Sequence, residues 1–177
     1  MDKIKAKAFI DGSNIFYTQK KLGWSFDWKR IKQLVESERE VLEWRYYVGL
    51  KHDDDKMPKF LRYLNAVGFT TVTKPLKKIR LTDGEHHPQS VASGYIFKAN
   101  FDVEMTADIL LDKSKFDEVI LFSGDSDFAY LTKKLKDAGK RIAVYSSRKT
   151  ISWELKLAGS DVVYFEDLAE RIKRSDK

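Results

Sequence analysis

Cysteine is absent from the 177 residues. Disulfide frameworks and thiolate metal sites are therefore excluded, and a reducing compartment, the cytoplasm, is the natural setting. No apolar run approaches the ~20 residues needed to cross a membrane. The opening residues, MDKIKAKAFIDGSN, pass from charge into a short apolar run and then polar residues, which is not the pattern of a signal peptide. Internal repeats and low-complexity linkers are missing too, and the length suits one compact domain over residues 1–177 with its own core. Of three histidines, His86 and His87 stand side by side in a polar stretch. Neighbouring histidines there are more often exposed than metal-bound, because a side-chain metal site needs several converging ligands. An acidic excess is also lacking. Lys plus Arg number 33 and Asp plus Glu 27, a formal net charge of +6, which favours a polyanionic partner. The basic residues cluster in KPLKKIR (Lys74, Lys77, Lys78, Arg80) and in KKLKDAGKR.

What is present alternates between strand and helix signals. KAKAFI reads as a strand that runs into the turn DGSN, and IFYTQKKLG as a helix closed by Gly23. FDWKRIKQLVESE reads as a helix capped by Asp27, with Trp28, Ile31, Leu34 and Val35 at helical spacing. VLEWRYYVGL and FTTVTKPL read as strands. Between them, DKMPKFLRYLNAVG carries Pro58 in its first turn and Gly68 after its end, as a helix should. FDVEMTADILLD predicts a helix with Val103, Ala107, Leu110 and Leu111 as its buried stripe. EVILFS, RIAVYS and VVYF read as strands. DFAYLTKKLKDAG, TISWELKLAG and EDLAERIKR read as helices. Such alternation predicts an α/β fold with a mainly parallel sheet and helices on both faces. Residues 79–100 break the pattern with turn signals between β-compatible ends. They predict a hairpin-like or mobile excursion, with Gly84 to Ser93 at its tip.

The candidate chemistry lies in carboxylates at strand ends. Asp11 follows AFI, Asp125 and Asp127 follow VILF across a Ser-Gly step, and Asp102 opens a helix that leads into that second strand. Ligands of doubly wound sheets bind beyond the carboxyl ends of the strands, where strand order reverses. If the two strands are neighbours, the four carboxylates share one crevice. They would then repel and raise one another's pKa, and a divalent cation would remove that conflict. An oxygen-only donor set favours Mg²⁺ or Mn²⁺ over zinc. Simpler roles stay open for each residue. Asp102 and Asp127 suit helix caps, Asp11 suits an Asp-Gly turn, and Asn14 suits a local cap. Asp108, four residues after Glu104, faces either the site or solvent. Gly124 is expected to permit the tight turn out of the strand. Ser123 and Ser126 offer hydroxyls to hold the carboxylates or a phosphate. Tyr17, Phe128 and Tyr130 stand near the motifs as stacking candidates, although Phe128 also suits the core.

The stretches AFIDGSNIFY, NFDVEMTADIL and VILFSGDSDFAYLTKKLKDAGKRIAVYSS resemble the NYN domain, in its LabA-like branch of the PIN-like nuclease superfamily. The resemblance runs from about Lys5 to Leu168. It implies a three-layer PIN-like fold with central strand order 3-2-1-4-5. It also implies metal-dependent ribonuclease chemistry with Asp11, Asp102, Asp125 and Asp127 as the acidic, metal-holding and catalytic cluster. Asn14 matches the family asparagine that supports the first aspartate. The family often has Lys-Gly-Val-Asp before the helix, where this chain has KANFD, so Lys98 is displaced by one residue. The implied reaction is hydrolysis of single-stranded RNA by metal-activated water, with Lys74, Lys77, Lys78 and Lys98 on substrate phosphates. The alternative is an RNA-binding or regulatory module that keeps the crevice with little or no turnover. A haloacid-dehalogenase-like phosphatase is disfavoured, because Ser13 stands where its second acid belongs. The expected partner is nucleic acid, RNA above all. A second copy of the chain is open, and no membrane partner is expected.

Overall fold

The computed structural model describes residues 3–51, 54–80, 95–159 and 161–175. In chain order the strands are β1 (Ile4–Asp11), β2 (Arg39–Leu50), β3 (Thr70–Pro75), β4 (Lys77–Arg80), β5 (Tyr95–Lys98), β6 (Glu118–Phe122), β7 (Arg141–Ser146) and β8 (Asp161–Tyr164). The helices are α1 (Gly12–Leu22), α2 (Trp28–Glu38), α3 (Met57–Val67), α4 (Asp102–Leu110), α5 (Phe128–Asp137), α6 (Trp153–Ala158) and α7 (Ala169–Ile172). A 3-10 turn, Phe165–Leu168, precedes α7, so the last helix is shorter than EDLAERIKR suggests.

Six strands pair in the order β3-β2-β1-β6-β7-β8, all in parallel. With the β4–β5 hairpin left out, the first five follow the expected 3-2-1-4-5 and β8 adds a sixth at the edge. The reason the sheet holds is visible residue by residue. β6 is buried along its whole length, as a parallel strand covered on both faces must be. Side chains then alternate between two cores. Ile10, Ile120 and Phe122 join Trp28, Trp44, Leu64 and Phe165 on the α1–α2–α3–α7 face. Phe9, Val119 and Leu121 join Met105, Ile109, Phe128, Leu131 and Leu155 on the α4–α5–α6 face.

Helix ends behave as their residues dictate. Asp27 accepts a hydrogen bond from the Arg30 amide at 3.1 Å and caps α2. Gly23 closes α1 in the left-handed region (φ 79°), where glycine alone is unstrained.

The buried face of α4 differs from expectation. Val103, Leu110 and Leu111 are exposed, while Phe101, Met105 and Ile109 are buried. Two apolar stripes compete on this helix. Burying the Phe101–Met105–Ile109 stripe also turns Asp102 toward the ends of β1 and β6, which the other stripe would not do. The excursion is a two-stranded antiparallel ribbon at its base, where Lys77 faces Lys98 and Arg80 faces Tyr95. Gly84 to Ser93, with the expected tip of the excursion and with His86 and His87, lie outside the described residues.

Candidate functional site

Strand order reverses between β1 and β6, and the site is built from the loops that leave these two strands. Asp11 ends β1 and caps α1, with its Oδ1 accepting from the Asn14 amide at 3.1 Å. Gly12 lets that turn pass close to β2, since a Cβ there would sit 2.3 Å from the Tyr47 carbonyl oxygen. Asn14 Oδ1 accepts from the Gly124 amide at 2.9 Å, which ties the first loop to the loop after β6. The buried Ser123 hydroxyl donates to Asp11 Oδ2 at 3.1 Å and accepts from the Asp125 amide at 3.2 Å. One hydroxyl thus fixes the spacing of two aspartates. Gly124 is needed for close approach rather than for a special turn angle. It is not among the glycines with positive φ, and a Cβ on it would lie 2.4 Å from the Thr150 carbonyl oxygen.

The third carboxylate comes from α4. Asp102 is the first residue of that helix, and Asn100 Oδ1 accepts from its amide at 3.0 Å. Phe101 occupies the capping position, so Asp102 is not the cap. Oxygens of Asp11, Asp102 and Asp125 all lie within 4.8 Å of one another. Burial pushes the Asp11 carboxyl up to about 6 against the pull of Asn14 and Ser123, and the charges of Asp102 and Asp125 add to the rise. Asp102 is also raised, first by burial and then by Asp125 and Asp127, while Asn100 and Lys98 oppose the shift. Among the described residues no lysine or arginine forms an ion pair with these three acids.

The other candidates are placed as follows. Asp127 is exposed and lies outside the group of three. It does not cap α5. Its own backbone is already helical (φ −61°, ψ −24°), and its amide donates to Asp125 Oδ1 at 3.1 Å. The chain has begun to wind before Asp127, so its side chain has no free amide to reach. Ser126 is exposed beside it. Lys74 is engaged by the Asn100 carbonyl, by Glu104 at 2.5 Å and by the Phe101 ring at 4.5 Å. Lys77, Lys78 and Lys98 are exposed on the hairpin, with Lys78 over the Tyr95 ring at 4.1 Å. Asp108 faces neither the triad nor open solvent, because Tyr47 donates to it at 2.7 Å and Arg45 pairs with it at 2.9 Å. Phe128 is fully buried in the core and Tyr130 is exposed. Tyr17 is part-buried. Sequence reasoning missed Asn100. Its only signal was an asparagine two residues ahead of a helix-opening aspartate.

A parallel α/β sheet with an acidic crevice at its switch point defines the PIN-like class. The NYN domain model matches residues 5–170, and the chain belongs to that family. It is 33% identical over 171 residues to the low amplitude and bright protein LabA of Synechococcus elongatus, covering 96% of this chain and 88% of that protein. Its fold matches the crystal structure of a protein of unknown function from Vibrio parahaemolyticus with a TM-score of 0.75 and 26% identity, over 97% of each chain. This membership supports a nuclease or RNA-related role, hydrolase activity and a nucleic-acid partner. No helix among the described residues is long and apolar enough to cross a membrane.

Proposed function

We propose that this chain is a metal-dependent ribonuclease that hydrolyses single-stranded RNA at the crevice between β1 and β6. The observation that carries the proposal is the convergence of Asp11, Asp102 and Asp125 from three separate elements with no basic partner among the described residues. Repulsion of this kind is unfavourable in a part-buried crevice unless a cation offsets it. The donor set is all oxygen, which fits Mg²⁺ or Mn²⁺. When bound, such an ion supplies a water of lowered pKa and offsets charge on the phosphoryl oxygens.

Asp11, Asp102 and Asp125 would hold the ion. Ser123 and Asn14 keep the Asp11 oxygens oriented, and Ser123 keeps Asp125 beside them. Asp127 stands at the rim as a substrate-side or outer acid. Lys77, Lys78 and Lys98 would meet substrate phosphates from the hairpin, whereas Lys74 would shape the base of that hairpin. The position of Asp127 outside the triad favours a second reading, an RNA-binding module of weak turnover.

The deciding assay is cleavage of end-labelled single-stranded RNA with and without Mg²⁺ or Mn²⁺, beside metal-induced change in melting temperature. Wild type should cleave only with metal and gain stability from it. Asp125→Asn should abolish cleavage and reduce the metal-induced stabilisation. Full activity in Asp125→Asn would overturn the nuclease assignment for this crevice.

A further inference from the structure

A second surface feature lies between the two helices that follow β6 and β7. A groove of about 560 Å³ runs between α5 and α6, lined by Tyr130, Lys133, Lys136, Glu154 and Leu157, with Asp137 at its far end. The first turns of α5 and α6 lie on the crevice side, because both helices begin just beyond the carboxyl ends of β6 and β7. The amide of Ser152 donates to the carbonyl of Gly124 at 2.8 Å, which sets Trp153 close to the loop that carries Asp125. Tyr130 lies in the first turn of α5, just beyond Asp127.

The two aromatic rings here are not core residues. Tyr130 is 71% exposed, Trp153 65% and Leu157 64%. Exposed apolar residues standing singly are ordinary, and what marks these is their grouping around one groove. Each ring also has an ammonium over it, Lys134 above Tyr130 at 5.4 Å and Lys156 above Trp153 at 5.6 Å. Lys133 and Lys136 line the groove opposite two acids, Asp137 and Glu154, with Lys136 donating to the Ala158 carbonyl at 3.0 Å, and Lys134 and Lys156 flank it. Exposed rings, each with a lysine over one face and the other face left for a base, fit a single strand of nucleic acid, whose bases stack while its phosphates meet lysines.

We infer that the α5–α6 groove, together with Trp153 at the exposed start of α6, is a binding track for single-stranded nucleic acid, in which Tyr130 and Trp153 stack bases and Lys133 holds a phosphate. The choice of occupant rests on the phosphodiesterase reading above. The β4–β5 hairpin lies toward the other side of the crevice, so the strand would be held on both sides of the acidic centre.

The test uses the full chain and a fluorescein-labelled uridine dodecamer in EDTA, so that binding is read without cleavage. Fluorescence anisotropy should show binding by wild type. Trp153→Ala or Tyr130→Ala should weaken it about five- to hundredfold. Lys133→Gln should weaken it less and lower its salt dependence by about one counterion. All three side chains are exposed, so melting temperatures should stay near wild type. Absence of binding by wild type, or binding within twofold of wild type in both aromatic variants, overturns the track. A dimer in sedimentation that is lost in Trp153→Ala, without oligonucleotide binding, would overturn it in favour of a second copy. Cleavage by Asp125→Asn separates the two proposals. If that variant cleaves fully while Trp153→Ala loses binding, the nuclease reading fails and the track stands. If it is inactive while both groove variants bind normally, the reverse holds.

Discussion

Where β2, β6 and β7 begin, the fully buried Glu118 is met by Arg39 at 2.5 Å and by Arg141 at 3.9 Å. Near the start of β1, Asp112 is joined by the Lys7 ammonium, which also reaches Glu43 at 3.1 Å. Where β1 and β6 end, Asp11 is nearly as buried, yet its neighbours are two more carboxylates. The same sheet thus supplies bases to Glu118 and Asp112 at one end, while at the other the three crevice acids pair with none among the described residues. The difference teaches that the crevice is not short of charge through poor packing. The protein can pair buried acids where only stability is at stake, and at the switch point it leaves that pairing to something from outside.

The contrast breaks first at Arg39. Arg39→Met removes the nearest base from a fully buried Glu118, and the loss of one partner of a buried pair costs about 3 kcal/mol. The urea midpoint and slope give the value. A loss under about 1 kcal/mol would mean that this end is no better compensated than an ordinary surface pair.

A smaller effect comes from pH. Burial alone would raise the Asp112 carboxyl, but hydrogen bonds from Lys7 and Ser114 more than reverse this and bring it to about 2 from 3.8. The folded state therefore holds the charged form more tightly than the unfolded chain does. That stabilisation is fully present above about pH 4 and is lost as pH falls through about 2, and amounts to about 1 to 2 kcal/mol. The stability difference between wild type and Asp112→Asn should shrink over that window. A difference that is flat with pH would remove Asp112 from the paired set.

The smallest effect sharpens the crevice side. Asp127 makes no capping hydrogen bond, so Asp127→Ala should cost less than about 0.5 kcal/mol. A measured loss near 1 kcal/mol would show that the side chain caps α5 in solution after all.

These cases also show what a sequence makes legible. Strand ends could be read because VILF is apolar without a break and then stops at Ser-Gly-Asp. Helix ends could be read because Asp27, Gly23 and Gly68 do locally what their chemistry dictates. The grouping of Asp11 with Asp125 needed strand adjacency, which no local pattern contains and which the family resemblance supplied. The face of α4 was not legible. Val103–Ala107–Leu110 and Phe101–Met105–Ile109 are both helical stripes, and only the position of Asp102 against β1 and β6 chooses between them. Asp125 and Asp127 look alike in the sequence, and what separates them is a turn of backbone that begins one residue earlier than a cap would allow. The partner of Glu118 was hidden for a different reason, because Arg39 lies 79 residues away and meets it only through sheet register.

Lys74 has a consequence of another kind. Its ammonium holds the Asn100 carbonyl across 26 residues of chain, and the Leu76 amide holds the Leu50 carbonyl at 2.9 Å. The stretch between is closed at its root like a purse, before it reaches the hairpin. Its length can drift without moving Asp102, because closing a longer loop costs only about 0.6 kcal/mol for each doubling. The stretch beyond the root should therefore tolerate changes of length while the acidic centre stays in place. In the laboratory a foreign segment belongs beyond that root, where it leaves the closing contacts of Lys74 and Leu76 intact.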